Sequence, residues 1–553
     1  MEKIKRWQFV LLTLIVLLAF ILRFYKLREI PPSLNWDEVS IGYNAYSILK
    51  TGRDEWGVFL PVHFKAFGEY KLPAQIYASI PAISIFGLNE LGVRITPVIY
   101  GTLTVLLMFF LGRALFQNNI IGLLSAFLLA VSPWHIQLTR ASFESSFAAF
   151  WIVLGVWFIV KGFTNHKWFI LSMIPFAISV YTYNSARPFV PIFLVAILLI
   201  YRKTLFKLRK TLILSGIIFA ALMLPLLPSL VSSESTARYR LVSITDDPGL
   251  IPRINENRGN SILPQPLPRL VHNKVTYVSF YVSQNYLAHF SPQFLFISGA
   301  PHKQHHVQWV GELYLFQAPF LLLGACLLFK KKQQFSWLLF SWLFLGYIPV
   351  SITNDSIPNA LRTLIVSPFY QILTAFGIYE TYIYLKDKKF IWQSGVLTVV
   401  TFLFIVNFTI YLNNYFNFYA KIYSRDWQYG YKEVVDYIKQ HQNEYDEIVF
   451  TRAYGEPHIF TLFFLNYDPE KYQNDPDLVR FETNNWVWVT HFNKFYFPDL
   501  GDKGTTFKDI IAQNPYKKML FIGKPEDFPK EWLKIKEISF LNGNPAFEIV
   551  EKK

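Results

Sequence analysis

The sequence predicts a polytopic α-helical membrane protein of about eleven spans, with an α/β domain on the outer side of the membrane at its C-terminal end. Three observations predict it. The 553 residues are 52% hydrophobic and 18% aromatic but only 16% charged, too apolar for an ordinary soluble chain. Apolar runs of membrane-crossing length recur along the chain, and its excess positive charge sits in alternate short loops. The same composition excludes a disordered or collagen-like chain. With Cys326 as the single cysteine, no disulfide can form within it, which excludes a disulfide-stapled scaffold.

Taken in order, Met1 to Arg6 is a basic start, and the run from Trp7 to about Leu22 is long enough to cross a bilayer. It exceeds the apolar core of a secretory signal and no small-x-small cleavage site follows, so it reads as an uncleaved signal anchor. Further runs lie near 91–112, 120–137, 145–160, 168–183, 188–201, 211–231, 312–329, 335–352, 361–385 and 390–414.

Orientation follows from the loops. With the N-terminus in the cytoplasm, the inner loops collect Lys3, Lys5, Arg6, Arg113, Lys161, Lys167, the basic residues of 202–210, Lys330–Lys332, Lys386, Lys388 and Lys389, against only Glu2 and Asp387. That excess equals the whole formal charge of +15. The charge is therefore topological, and no basic surface is left over to suggest nucleic acid as a partner.

Three larger pieces then lie outside: a first loop at 27–90, a second at 232–309, and a tail at 415–553. The expected domains are 1–414, a membrane domain holding both loops, and 415–553. The tail alternates helix-like stretches (431–442, 506–513) with strand-like ones (447–451, 518–522, 538–540, 546–550), the pattern of a small α/β domain. It carries no Gly-rich phosphate loop, paired-cysteine metal site or catalytic triad. Its expected role is to position an acceptor, or to act as a lid, so that its removal would leave binding of the donor intact.

The candidate chemistry lies where ionisable groups meet the outer membrane face, because charge near hydrocarbon is costly and usually functional. The first loop holds Asn35-Trp36-Asp37-Glu38, a helical stretch over 39–49 ended by Gly52, and Phe67-Gly68-Glu69-Tyr70-Lys71-Leu72-Pro73. Alone, Asp37-Glu38 reads equally well as helix N-terminal carboxylates stabilised by the helix dipole. Read together, the long first outer loop with Asp37-Glu38, then Tyr70-Lys71-Leu72-Pro73, Glu90-Leu-Gly-Val-Arg94 entering the second span and Arg140-Ala-Ser-Phe-Glu144 entering the fourth resemble the GT-C glycosyltransferases of family 39, which include protein O-mannosyltransferases and the lipid A aminoarabinose transferase. The resemblance covers roughly residues 30–200 and does not reach the tail. It implies a GT-C fold and transfer of a sugar from a polyprenyl-phosphate carrier to a protein, lipid or cell-wall glycan acceptor outside the cytosol. By that similarity Asp37 matches the catalytic carboxylate, Glu38 its partner, Glu144 the second acidic position, and Lys71 a lysine near the donor phosphate. Leu72 stands where the family commonly has proline. Composition and resemblance together point to a bacterial plasma membrane.

The residues support that chemistry independently. A base must take the acceptor's proton, and a carboxylate at the membrane surface can do so. The departing lipid phosphate needs fixed positive charge, for which Lys71 and Arg362, in Asn359-Ala-Leu-Arg-Thr363 at the outer mouth of the tenth span, are candidates. Arg362 alternatively snorkels. Arg94 and Arg140 share that ambiguity, with pairing to Glu144 as their expected structural role. Glu69, Tyr70, Arg94, Arg140, Tyr183 and His302 are candidate substrate contacts. Tyr183 otherwise belongs to an interfacial aromatic belt. His289, His302, His305 and His306 invite a zinc reading, but their spacing matches no standard site. They read better as solvated loop histidines or acceptor contacts. No cofactor is expected, and a divalent cation is left open. A lipid or glycan transporter or flippase is the competing class, although the middles of the runs are almost uncharged and no repeated half is visible. A membrane scaffold displaying the tail would leave Asp37 and Lys71 unexplained.

Overall fold

The computed structural model describes residues 3–230, 242–483, 486–500 and 506–551, apart from the side chains of Glu69, Ser229 and Leu230. Part of the second loop expected at 232–309 lies outside the described residues. The chain forms two compact units, one of residues 1–25 and 97–414, the other of 26–96 and 415–553.

The first unit is helical. Counting the helix that enters it from Glu90, six helices are long and apolar enough to cross a membrane among the described residues: Arg6–Phe24, Glu90–Phe116, Glu144–Gly162, Arg202–Leu226, Ala360–Leu385 and Phe390–Ile422. Five shorter apolar helices, Asn119–Ala130, Lys167–Val180, Ala186–Ile200, Gln317–Lys330 and Ser336–Ser351, fall on the remaining runs. The run at 120–137 is broken rather than continuous. Pro133 has no N–H to extend the helix before it and instead opens a new short helix, Pro133–Leu138, with Ser132 as N-cap accepting from the His135 N–H. Only 6% of the apolar window in Arg202–Leu226, and likewise in Phe390–Ile422, is buried within the protein. Such all-round apolar helices with open flanks require a hydrocarbon environment.

Sequence assigns the first outer loop to the membrane domain, but its side chains pack with the tail. Residues 26–96 and 415–553 share one core: Val39, Ile41 and Ile48 of helix Trp36–Thr51, with Ile76 and Ile83 of helix Pro73–Phe86, join Val434 and Ile438 of helix Tyr431–His441 and Phe460 and Phe463 of helix Pro457–Phe464. Each fully buried aliphatic or aromatic side chain in it contributes roughly 1.5–3 kcal/mol.

This unit carries nine strands among the described residues. A hairpin pairs β1 (Phe64–Ala66) with β2 (Glu69–Lys71), Phe64 opposite Lys71. The tail builds a mixed sheet from β3 (Glu447–Phe450), β4 (Val479–Glu482), β5 (Val487–Phe492), β6 (Phe495–Tyr496), β7 (Met519–Gly523), β8 (Leu533–Ser539) and β9 (Pro545–Glu551), in the order β4-β5-β6-β3-β7-β9-β8. β3 runs parallel to both β6 and β7 and the other pairs are antiparallel. β3, β7 and β9 correspond to the strand-like stretches at 447–451, 518–522 and 546–550, while the stretch at 538–540 meets only the last two residues of β8. β4 to β6 are not among the strand-like stretches read from the sequence; β4 and β6, at four and two residues, are too short to show a pattern.

Candidate active site

Asp37 occupies the first turn of helix Trp36–Thr51. Asn35 is its N-cap: its side chain accepts from the Glu38 N–H at 2.9 Å, while the Asn35 N–H donates to Glu38 Oε2 at 3.3 Å, a reciprocal box that satisfies two otherwise orphaned donors. The helix ends at Gly52, whose φ of 69° lies in the left-handed region that a side chain resists. Lys71 is held between β2 and helix Pro73–Phe86, which starts with proline. Hairpin and helix start together carry the ammonium to Asp37: Lys71 Nζ is 2.5 Å from Asp37 Oδ1. The lysine side chain is 2% exposed and the carboxylate 29%. Asp37 Oδ2 has no hydrogen-bond partner among the described residues and is open to a ligand.

Glu38, expected as the catalytic partner, is buried instead. Arg94 Nε and Nη2 each donate to its carboxylate at 2.9 Å, and Arg94 also donates to the carbonyls of Leu27, Pro31 and Ser33. The arginine expected to face Glu144 therefore pairs with Glu38 and pins the chain entering the first loop to the helix that presents Asp37. Neither side chain is accessible, which removes Arg94 as a substrate contact.

Glu55 beneath the site was not anticipated. Asn44 Nδ2 donates to Glu55 Oε1 at 2.9 Å, and the Glu55 N–H donates back to Asn44 Oδ1 at 3.1 Å. Burial pushes its carboxyl up to about 7, against the opposing pull of the Asn44 hydrogen bond and of the Arg480 and Lys71 charges. Lys71 thus lies within the electrostatic reach of two carboxylates. Tyr70 is half-buried on β2 opposite Lys65. The Glu69 side chain lies outside the described residues.

The remaining candidates belong to the helical unit. Glu144 is half-buried at the start of helix Glu144–Gly162. Arg140 is buried and donates to the carbonyls of Leu22, Arg23 and Tyr25, satisfying C-terminal carbonyls of the first helix that lack intrahelical partners. Tyr183 is half-buried between helices. Arg362 Nη2 is 2.6 Å from Asp355 Oδ2 and Nη1 is 2.8 Å from Thr353 Oγ1. Its turn is capped by Asn359, whose side chain accepts the Arg362 N–H at 2.9 Å.

The histidines are not uniformly solvated. His289 is buried, its Nε2 accepting the Asn359 N–H at 3.0 Å and its Nδ1–H donating to the Asn285 carbonyl at 2.7 Å. Burial drives its pKa down to about 4, helped by Arg362. His306 is also buried. Burial disfavours its charge, but Glu312 at 3.1 Å and the Val310 carbonyl outweigh that and raise its pKa. His302 and His305 are half-buried and stack at 3.7 Å. Among the described residues no group of three or more His, Cys, Asp or Glu is placed to hold a metal ion.

A family model, dolichyl-phosphate-mannose-protein mannosyltransferase, matches residues 77–228. The solved structure of ArnT from Cupriavidus metallidurans bound to undecaprenyl phosphate superposes with a TM-score of 0.53 at 10% identity, over 99% of this chain and 98% of ArnT. The chain has the GT-C glycosyltransferase fold. This GT-C chain also resembles the archaeal oligosaccharyltransferase AglB from Archaeoglobus fulgidus, at a TM-score of 0.48 and 13% identity over 86% of this chain, and it spans only 62% of AglB's length. No curated protein sequence matches it. The family match begins at residue 77, after both Asp37 and Lys71, so it includes neither residue.

Proposed function

We propose that the protein is a membrane glycosyltransferase that moves a sugar from a polyprenyl-phosphate carrier to an acceptor outside the cytosol. The observation that carries this reading is the contact between Lys71 Nζ and Asp37 Oδ1, a nearly inaccessible ammonium against a partly exposed carboxylate at a helix N-terminus. ArnT was solved with undecaprenyl phosphate, which supports a carrier of that class.

In this mechanism an acceptor hydroxyl hydrogen-bonds to the open Oδ2 of Asp37. Its oxygen attacks the anomeric carbon from the face opposite the phosphate, inverting it, while Asp37 takes the proton. The bond from the anomeric carbon to the phosphate oxygen breaks, and its electron pair leaves with the lipid phosphate. Lys71 supplies a fixed cation to that developing charge. Arg362 is a second candidate for the phosphate, which would displace Asp355 from the guanidinium. Glu38 and Arg94 position Asp37 without touching substrate. Glu144 is retained as a second acidic group.

The apolar runs support eleven crossings and the charge asymmetry of the loops a cytoplasmic N-terminus and an outer tail, while composition and the family resemblance support a bacterial plasma membrane. The test is Asp37→Asn. Removing a general base costs on the order of 10²–10⁴ in rate, so the purified variant should still fold and bind donor, and lose transfer by that factor. Near-native turnover would refute the assignment.

A further inference from the structure

A row of aromatic rings starts one residue from Asp37 and runs onto the edge of the sheet in the same unit. Trp36 lies 5.7 Å from Phe67 and 6.0 Å from Trp486; Phe67 and Trp486 stack at 6.4 Å. Trp486 is 5.8 Å from Trp488, and Trp488 stacks on Phe481 at 6.4 Å. The register explains the row. Trp486 precedes β5, Trp488 is two residues further and so on the same face, and Phe481 of β4 is the cross-strand partner of Trp488. At its inner end, Gly455 has a φ of 130° and comes so close to Trp36 that a Cβ there would lie 2.8 Å from the ring.

The row runs outward from the core: Phe67 is buried in it, and Trp36 and Trp486 pack against it. Trp36, Trp486 and Trp488 are half-buried, and Phe481 is 44% exposed on the edge strand β4. Polar groups stand at its margins. Trp486 Nε1–H donates to Glu456 at 2.6 Å, and Arg452 lies 4.8 Å over Trp488 with its Nε lacking a hydrogen-bond partner among the described residues.

We propose that this row is a binding track for a saccharide chain, so that the acceptor of the reaction is glycan-bearing. The inference rests on the glycosyltransferase reading above and deepens it. Pyranose rings present flat C–H faces that stack on aromatic rings and equatorial hydroxyls that reach polar groups at the edges. The outer rings, half-buried Trp488 and exposed Phe481, with the Arg452 guanidinium over Trp488, match both demands, and Glu456 beneath fixes Trp486 in place. A polyanion would require a basic stripe, whereas here Arg452 and Lys65 are offset by Glu456 and Glu482. A lipid surface would require protruding side chains rather than rings laid into a wall. The track begins beside Asp37, so a bound chain would bring its terminal hydroxyl to the base.

The test uses the full-length protein in nanodiscs, with mannohexaose, cellohexaose and chitohexaose as probes read by saturation-transfer NMR. At least one should bind saturably. Trp488→Ala should weaken that binding at least tenfold and Phe481→Ala about threefold, both with unchanged melting temperature. Asp37→Asn should leave it intact while abolishing transfer, which separates this proposal from the catalytic one: normal turnover in Asp37→Asn defeats the base assignment but not the track. If Trp488→Ala fails to fold, exposed Phe481 carries the test. Absence of binding by all three hexasaccharides overturns the proposal, as does binding indifferent to Trp488 and Phe481. Displacement of a bound hexasaccharide by a Ser/Thr-containing heptapeptide added along edge strand β4 also overturns it.

Discussion

Glu38 and Arg94 form an ion pair from which water is fully excluded, with two contacts of 2.9 Å. The same arginine gathers the carbonyls of Leu27, Pro31 and Ser33. One guanidinium therefore ties the entry of the first loop to the helix turn that displays Asp37. Breaking a buried pair by removing one partner leaves an uncompensated charge and costs about 3–5 kcal/mol. Arg94→Ala should therefore lower the melting temperature sharply and reduce transfer, whereas Asp37→Asn, in a pair whose carboxylate is 29% exposed, should lower it less and reduce transfer more. Thermal melting alongside turnover checks this. A stable, inactive Arg94→Ala would instead give Arg94 a role in the chemistry.

Lys71→Ala removes the charge meant for the departing phosphate and also frees Asp37 Oδ1. A hydrogen bond to a charged group is worth about 1.5–3 kcal/mol, so donor affinity and turnover should together fall by about ten- to a hundredfold. Lys71→Arg should recover part of the loss, because the charge is kept while the geometry changes. Donor binding to purified variants decides the matter: unchanged affinity in Lys71→Ala would remove the phosphate role.

The helix start at Asp37 and the proline after Lys71 are local signals legible in the sequence, and the family resemblance singles out both residues; the hairpin that brings them into contact is not among the readings. The supports of that contact are not legible either. Glu38 and Arg94 are 56 positions apart, and nothing in either segment names its partner. Nor does the sequence announce that Arg362 pairs with Asp355, seven positions before it. The histidines read as solvated because polarity alone does not reveal that His289 fills the space beneath the Asn359 turn. Apolar periodicity tells which face of helix Trp36–Thr51 is buried, but not that the covering surface comes from residues more than 390 positions later, as in the Trp36 N–H bond to Gln428.

Two buried groups give opposite pH dependences. His289 has a folded pKa near 4, below its ordinary 6.5, so the unfolded chain binds the proton more readily. The stability it contributes is present above about pH 6.5 and is lost as pH falls toward 4, by about 3 kcal/mol for a shift of that size. Glu55 has a folded value near 7, above its ordinary 4.5. It favours the folded state below pH 4.5 and loses that contribution as pH rises through 7. Glu55→Gln should therefore raise the melting temperature at pH 8 relative to wild type and have little effect at pH 4.5. His289→Asn should flatten the acid side of the profile. Melting curves from pH 4 to 8 on the two variants resolve the terms, and a wild-type slope in both would contradict them.

Removing the tail after residue 414 tests how the donor site is held. A tail that only positions an acceptor would leave donor binding intact. The shared core argues for the reverse. Tyr43 Oη donates to the Tyr467 carbonyl at 3.1 Å, Gln473 Nε2 to Ser47 Oγ at 3.0 Å and to the Asp54 carbonyl at 2.8 Å, and Arg480 to the Glu55 carbonyl at 2.8 Å. Lys432 pairs with Glu90 at 2.6 Å. Truncation would strip these contacts and expose Val39, Ile41 and Ile48, at roughly 1.5–3 kcal/mol for each buried side chain, more than a loop of this size can lose and stay ordered. The truncated protein should lose amide protection across 27–90 and with it affinity for polyprenyl phosphate. Gln428→Ala, which deletes the anchor of the Trp36 N–H and the bond from Gln428 Nε2 to the Tyr454 carbonyl, should cost about 1 kcal/mol for each bond and lower turnover as well as stability, because it loosens the turn that carries Asp37. Hydrogen exchange on both variants provides the comparison. Full protection of 27–90 in the truncation, with native donor affinity, would mean that the loop folds without the tail.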